Sequence, residues 1–236
     1  MGESGKYLKL DAEFLGYSTV LKQQFAEHRA LISKDFEERL GVLYDAQTAL
    51  LACLGSIYSR PDREFPLEEV TIKVHRAAIC SSVTQGIELV EIALRAANYA
   101  QAAALIRQEI EAVEVARGLR QGLQKEGKTP RLKALKHLGK NYGFLSSLAH
   151  LSRSPALIEA TNILNTGIDP NLNSGLENHM FCLHLVALTG ITIDLAELHP
   201  FSDTEYMSQQ EQLWLQSVCG MLDKKGFLSP KKAPSN

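Results

Sequence analysis

Apolar residues recur at helical spacing along almost the whole chain, with polar and charged residues between them. The first predicted helix spans about Asp11 to Leu31 and has the mixed composition of a surface helix. The second spans about Lys34 to Tyr58 and becomes increasingly apolar towards its end. Pro61 follows soon after, and because proline disfavours helical geometry in the residue before it, we expect the helix to end there.

The rest of the chain predicts five more helices, separated by turns that contain glycine or proline. Their approximate limits are Pro66 to Ala97, Tyr99 to Gln124 with Asn98 as the N-cap, Leu132 to Leu151, Leu176 to His199, and Thr204 to Asp223. No segment keeps the period-two alternation that is typical of a strand. The sequence therefore predicts an all-α fold: a single-domain helical bundle of about six to seven helices over residues 1–223, followed by a flexible basic tail at 224–236.

The composition is that of an ordinary soluble globular protein: 236 residues, 45% hydrophobic and 22% charged, with a net charge of −2. This charge argues against general electrostatic adhesion to nucleic acid or to anionic membranes, but it allows a local basic patch. The four cysteines are widely scattered, as expected for buried, reduced thiols. We find no signal-peptide pattern and no window of the apolar length that spans a bilayer, so the sequence predicts a cytoplasmic protein with no membrane partner.

A helical face with one arginine and two glutamates is the first candidate for chemistry. Arg107, Glu111 and Glu114 occupy positions i, i+4 and i+7, which lie together at the margin of the apolar stripe. Such an arginine either bonds to Glu111 or presents its guanidinium group to an anionic ligand. The alternative is an ion pair on a solvated flank, which stabilises a helix by only about 0.2–0.5 kcal/mol.

The next predicted helix has a wide apolar arc and a narrow polar side. Gly143, Ser146, Ser147 and His150 lie on the polar side, with Tyr142 at its edge. A histidine beside two hydroxyls and a phenol has the chemistry of an acid or base near neutral pH. The alternative is a hydrogen-bonded histidine near a helix C-terminus, where the helix dipole favours the imidazolium form.

Two Glu-x-x-Glu pairs on consecutive helices, Glu88 with Glu91 and Glu111 with Glu114, suggest a metal site. Carboxylates from several helices can bridge two metal ions in the core of a bundle. Such sites normally include Glu-x-x-His on two of the helices, and no glutamate here has a histidine three residues later. The pattern thus departs from that of known metal-binding bundles, and no cofactor is predicted.

The most basic stretch of the chain provides a second pair of candidate catalytic residues, Arg131 and His137. An arginine that holds phosphate and a histidine that moves protons suit metal-independent cleavage of RNA, in which the 2′-hydroxyl is the nucleophile. The alternative is a solvated helix start. Four lysines are candidates for contacts with nucleic acid: Lys128, Lys133, Lys136 and Lys140.

The segment from Ala93 to Glu111, which contains Leu-Ile-Arg107-x-x-x-Glu111, is followed by Tyr142-x-x-Leu-Ser-x-x-x-His150. Together they resemble helical bacterial domains of the HEPN superfamily and abortive-infection proteins of the AbiV type. The resemblance covers about Glu88 to Ser154. It implies an all-α bundle, often dimeric, with ribonuclease activity in phage defence or in toxin–antitoxin systems.

The HEPN signature places an arginine and a polar residue shortly before a histidine on the same helix. Arg131 and His137 have this spacing, with Leu132 in place of the polar residue. His150 has no arginine at the corresponding distance before it.

Three functional hypotheses follow. The first is a HEPN-like, metal-independent ribonuclease or defence effector, with Arg107, Glu111, Tyr142, Ser147 and His150, or alternatively Arg131 and His137, as catalytic residues. The second is a non-catalytic module whose third and fourth predicted helices bury a partner or a second copy. The third is a carboxylate-bridged metal-binding bundle. The expected partners are a second copy in a homodimer, RNA, and a protein such as an antitoxin or another defence component.

Overall fold

The computed structural model describes residues 12–61, 67–123, 132, 135–150 and 172–228. Its helices are α1 (Ala12–Ser33), α2 (Phe36–Leu40), α3 (Val42–Tyr58), α4 (Leu67–Arg95), α5 (Tyr99–Arg120), α6 (Gly139–Ala149), α7 (Ser174–Leu198) and α8 (Gln209–Lys224), with a short 3-10 turn at Lys136–Leu138. No strand occurs in these ranges, so the all-α prediction is confirmed. The described residues contain eight α-helices, where six to seven were expected.

Gly41 accounts for the additional helix, because it divides the second predicted helix into α2 and α3. Its φ of +50° lies in the left-handed region, which glycine adopts without the steric cost of a Cβ. On either side, α2 buries Phe36 and Leu40 while α3 buries Leu43 and Leu50. The apolar spacing continues across the break, which is why periodicity alone predicted one continuous helix.

One helix boundary differs from the prediction in a way that affects the site, and one predicted cap lacks its side-chain hydrogen bond. The helix that carries Tyr142 begins at Gly139 and not near Leu132, so α6 is much shorter than expected. Asn98 does precede α5, but its side chain makes no capping hydrogen bond.

Phe227, which lies in the predicted tail, is buried; residues 229–236 lie outside the described residues.

α7 is the central helix of the bundle and packs against α3, α4 and α5. Every residue from 180 to 189 is buried. Gly190 lies directly against Val113 of α5, because a Cβ added to this glycine would be 2.8 Å from Val113 Cγ1. The missing side chain thus lets α5 and α7 approach closely.

Two helical segments have the length and mean hydropathy of a membrane span, Val70–Arg95 and Ser174–Leu198. The expectation that no window reaches this apolar length is therefore wrong. In the second segment 83% of the most apolar window is buried inside the bundle, and in the first 33% is buried. Core helices of soluble proteins meet the same two criteria, so length and composition do not place either helix in a membrane.

Ion pairs join three helices at one edge of the core. Arg76 of α4 contacts Asp194 of α7 (Nη2 to Oδ1, 2.6 Å) and also Glu197 (Nη2 to Oε2, 3.1 Å). Arg120 of α5 contacts the same Glu197. Arg76 and Asp194 are both 6% exposed, and buried charges are tolerated only when they are paired. The network therefore constrains how α4, α5 and α7 pack together.

Candidate active site

Arg107 and Glu111 lie one turn apart on α5, as predicted. The Arg107 Nε atom is 3.3 Å from Glu111 Oε1, the distance of an ion pair. The same Nε makes no directed hydrogen bond to any described residue, so the contact is mainly electrostatic. The Glu111 carboxylate consequently attracts the Nε side of the guanidinium group, and the terminal nitrogens of Arg107 are directed away from this contact.

α6 brings the second half of the site to α5. Leu145 and Leu148 are fully buried and fix the apolar side of α6. Tyr142 and His150 then lie towards α5: the Tyr142 hydroxyl donates to Glu111 Oε1 at 2.5 Å, and Arg107 Nη1 donates to His150 Nε2 at 3.0 Å.

The four side chains Tyr142, Glu111, Arg107 and His150 thus form one continuous polar chain across two helices, which we call the Arg107 cluster. The sequence predicted that Arg107 and Glu111 share a face and that Tyr142 and His150 line a polar side. The contact between the two faces is a finding of the structure.

Hydrogen-bond chemistry sets the protonation of the cluster. A guanidinium group can only donate, so His150 Nε2 must accept, and the imidazole in this arrangement is neutral with its proton on Nδ1. Partial burial and the hydrogen bond to Glu111 raise the pKa of Tyr142 above its usual range, so the phenol stays protonated at neutral pH. The cluster therefore combines a cation, a carboxylate, a neutral imidazole and a phenol.

The Arg107 cluster can be reached from solvent. The side chains of Arg107 and Glu111 are 23% and 24% exposed, and His150 is exposed at the end of α6. His150 is also the C-cap residue of α6, with its N–H bonded to the Ser146 carbonyl. Its backbone is thus held by the helix while its ring remains accessible, as an acid–base residue requires.

Two other predicted residues are used inside the fold. The Ser147 hydroxyl donates to the Gly143 carbonyl of its own helix at 2.8 Å, and no described contact joins it to His150. Glu114 is buried, and its Oε1 accepts from the Leu135 N–H at 2.7 Å. Glu114 therefore fixes the turn that leads into α6 and does not extend the Arg107 cluster.

The alternative catalytic pair, Arg131 and His137, cannot be assembled from the described residues. Arg131, Lys128 and Lys133 lie outside them, as does the side chain of Lys136. His137 is exposed, with Nε2 3.0 Å from the Phe227 carbonyl oxygen. Lys140 is exposed at the start of α6.

The carboxylates that suggested a metal site lie in different surroundings. Glu91 pairs with Arg95 on its own helix (2.7 Å), Glu88 is exposed, and Glu111 and Glu114 make the contacts described above. No group of three or more His, Cys, Asp or Glu side chains that could hold a metal ion occurs among the described residues. The four glutamates therefore do not form a common ligand set.

A buried pair that the sequence pattern did not predict is Glu109 with His184. His184 Nδ1 of α7 lies 2.7 Å from Glu109 Oε2 of α5, and the two residues are 0% and 5% exposed. Glu109 Oε1 and His184 Nε2 have no hydrogen-bond partner among the described residues. The signal that could have found this pair is a histidine inside the apolar run from Met180 to Leu188, because a polar group there needs a buried partner.

Three of the four cysteines are poorly suited to act as nucleophiles. Cys53, Cys80 and Cys182 are buried and unpaired, as predicted, and Cys219 is partly buried. Burial raises the pKa of Cys53 and Cys182 to about 11, while burial and the nearby Asp194 raise that of Cys80 to about 12. Because the thiolate is the reactive form, thiols with such raised pKa values are weak nucleophiles at neutral pH.

Comparisons with protein-family models, curated proteins and solved structures give no match to this chain. Its function must therefore be inferred from the geometry of its own residues.

Proposed function

We propose that this protein is a metal-independent ribonuclease of HEPN-like type, with Arg107 and His150 at the reacting phosphate. The observation that carries the proposal is the 3.0 Å contact between Arg107 Nη1 and His150 Nε2, made between two helices at a surface open to solvent. A cation beside a neutral imidazole suits phosphodiester cleavage by the 2′-hydroxyl, because the imidazole can act as the base and the cation can stabilise the charge on the phosphate. Here the arginine comes from α5 and the histidine from α6.

In the proposed reaction, His150 Nε2 removes the proton of the RNA 2′-hydroxyl, and the 2′-oxygen attacks the adjacent phosphorus. The bond from phosphorus to the 5′-oxygen breaks, which leaves a 2′,3′-cyclic phosphate and a 5′-hydroxyl group that takes its proton from water. Arg107 turns from His150 to the non-bridging phosphate oxygens and stabilises their developing charge. The same movement frees the Nε2 lone pair for its role as a base.

Glu111 and Tyr142 are positioning residues in this proposal. Glu111 Oε1 lies 3.3 Å from Arg107 Nε and accepts a hydrogen bond from the Tyr142 hydroxyl. The hydrogen bond from Tyr142 therefore orients the Glu111 carboxylate, and the carboxylate orients Arg107 by the ion pair. The contact at Nε keeps the guanidinium group at the site while Nη1 exchanges His150 for the phosphate, which limits the reorganisation cost in the transition state. Loss of the Tyr142 hydroxyl should therefore weaken catalysis less than loss of Arg107 or His150.

The test is cleavage of a mixed-sequence RNA in the presence of EDTA, with the purified full chain. We expect cyclic phosphate ends from the wild type, and a rate lowered by at least about 100-fold in Arg107→Ala and His150→Ala. His75→Ala provides a matched control, because His75 is an exposed histidine on α4. Unchanged cleavage in His150→Ala would rule out its role, and loss of cleavage in His137→Ala alone would move the reaction to the Arg131 and His137 pair.

The resemblance extends the proposal to a biological role, that of an effector in phage defence or in a toxin–antitoxin system. Such an effector cleaves cellular RNA when it is released from a protein partner, so its unopposed expression should arrest growth. We expect growth arrest with the wild type and normal growth with His150→Ala. Equal arrest by both would show that toxicity does not depend on this histidine.

A second candidate function is a non-catalytic interaction module, in which α4 binds a second copy of the chain. The supporting observation is that Leu89 and Ile92 of α4 are 54% and 52% exposed. Light scattering should then give a dimeric mass for the wild type and a monomeric mass for a Leu89→Glu, Ile92→Glu double variant. A monomeric wild type would exclude self-association through this surface.

A further inference from the structure

A cavity of about 260 Å³ lies between α4 and α5, next to the Arg107 cluster. Its walls are mainly apolar: Ile79, Val83 and Val90 of α4 face Leu105 and Val115 of α5. A volume of this order accommodates a small organic molecule. The apolar walls indicate that most of the surface of such a molecule would be hydrophobic.

The polar lining of the cavity consists of Ser82, Gln108 and two carboxylates, so its charged part is acidic. Glu109 and Glu111 both line it, and the described lining residues include no Lys, Arg or His. One Glu109 oxygen is paired with His184, whereas Oε1 has no hydrogen-bond partner among the described residues although Glu109 is 5% exposed. A buried carboxylate oxygen without a partner favours a ligand that donates hydrogen bonds and carries positive charge.

Gly86 keeps one wall of the cavity open. This residue lines the cavity from within α4, and a Cβ built on it would meet no atom within 4 Å. Glycine in a helix interior is unfavourable relative to residues with a side chain. The backbone of Gly86 has no positive φ that would require glycine. The structural effect of glycine at this position is therefore the open space that a side chain would otherwise occupy.

We propose that this cavity binds a small organic amine, with its apolar body between α4 and α5 and its ammonium group against Glu109. Glu111 is the second carboxylate at the cavity, but its Oε1 already contacts Arg107 Nε and the Tyr142 hydroxyl, so Glu109 is the partner of the ammonium group. The ammonium group supplies the donor that Glu109 Oε1 lacks once this buried oxygen turns towards the cavity, and the hydrophobic walls exclude a compact, fully hydrated metal cation. The proposal does not depend on ribonuclease activity, because it requires only binding.

The test compares three ligands of nearly equal size and different charge: phenethylamine, phenethyl alcohol and hydrocinnamate. Binding to the full-length protein is followed by NMR titration and calorimetry. We expect saturable binding of the amine, binding of the alcohol weaker by at least about tenfold, and no saturable binding of the anion. Equal affinity for the amine and the alcohol, or no saturable binding of the amine, would overturn the proposal.

Gly86→Leu is the decisive variant, because its side chain fills the cavity without changing a charged residue. We expect amine affinity to fall by at least about tenfold while the melting temperature is unchanged or raised. Gly55→Leu is the matched control, since Gly55 is an exposed glycine inside α3 with nothing within 4 Å of its Cβ position. Wild-type affinity in Gly86→Leu would show that the amine binds elsewhere.

Glu109→Gln tests the role of charge and should abolish the preference for the amine over the alcohol. If this variant does not fold because His184 loses its carboxylate partner, the Gly86→Leu result still decides the matter. RNA cleavage measured on the same Gly86→Leu protein separates the two proposals, since we expect cleavage to remain when amine binding is lost.

Discussion

Two histidines contact residues of α5 that are only two positions apart in the sequence, and the surroundings of the two histidines differ completely. His184 lies in the core against Glu109 and is 0% exposed, whereas His150 contacts Arg107 at the surface. Positions 107 and 109 lie on nearly opposite sides of a helix with 3.6 residues per turn. α7 therefore covers one of these positions and α6 borders the other. The position of the covering helix, and not the residue type, decides which histidine is available for chemistry.

The buried and the exposed histidine also differ in the free energy that is lost when their contacts are broken. A buried polar pair is costly to disrupt, because loss of either member leaves the other without solvent or a partner. An exposed pair can exchange its partner for water or for a ligand at little cost. His184 therefore serves the fold, while the Arg107 cluster can rearrange around a substrate.

The largest expected effect tests this comparison directly. His184→Ala should lower the free energy of unfolding by about 3 kcal/mol, because it leaves Glu109 buried without its partner and creates a cavity. His150→Ala should change it by no more than about 0.5 kcal/mol, as is usual for exposed positions. Urea denaturation followed by circular dichroism measures both.

A double variant identifies the cause of the loss. Glu109→Leu combined with His184→Leu removes both polar groups and should recover much of the stability lost in His184→Ala. If His150→Ala were as destabilising as His184→Ala, the distinction between the two histidines would be incorrect.

A smaller effect is expected at the close contact between α5 and α7. Gly190→Ala would place a methyl group 2.8 Å from Val113 Cγ1 and should destabilise the fold by about 1–3 kcal/mol. Shortening the opposite side chain with Val113→Ala in the same protein should relieve the overlap, so the double variant should be more stable than the sum of the single losses. Strictly additive losses would show that this contact does not set the spacing of the helices.

The smallest expected effect concerns His179, a histidine of intermediate burial between the two extremes. Its ring lies between Phe144 and Phe227, at centroid distances of 6.3 and 5.2 Å, and burial lowers its pKa below the ordinary value of 6.5. The unfolded chain therefore binds a proton at this residue more readily than the folded chain. Its effect on stability is absent well above pH 6.5, and stability falls as the pH decreases from about 6.5 towards the lower folded-state pKa.

The measurement is the melting temperature between neutral pH and pH 5 for the wild type and for His179→Phe. The variant keeps an aromatic ring at this position and removes the titrating group, so its melting temperature should fall less on acidification. Identical pH profiles would show that His179 contributes nothing to the acid sensitivity of the fold.

Helix type and approximate position could be predicted from the sequence because apolar spacing is a local property. α5 was predicted within a few residues, and the Arg107–Glu111 pair follows from helical geometry alone. The break at Gly41 was missed because the apolar pattern continues through it, and only the backbone conformation reveals it. The late start of α6 was missed for a related reason, since apolar spacing begins before the helix does.

Contacts between helices are not encoded by local spacing. The approach of His150 to Arg107 depends on how α6 packs on α5, which in turn depends on buried residues such as Leu145 and Leu148. The Glu109–His184 pair joins residues separated by 75 positions, and a single sequence contains no direct record of such a contact. The candidate site could thus be anticipated as two separate faces and not as one cluster.

The short connection between α4 and α5, formed by Ala96, Ala97 and Asn98, has a consequence for the order of folding. Ala97 adopts a φ of +50°, and the chain reverses direction at this connection, so that α4 and α5 pack side by side without a longer loop. Helices that are adjacent in sequence meet with little loss of loop-closure entropy, so this hairpin should be an early folding nucleus. In that order, the cavity walls, which belong to α4 and α5, come together before the contact between Arg107 and His150, which also requires α6 to pack on α5.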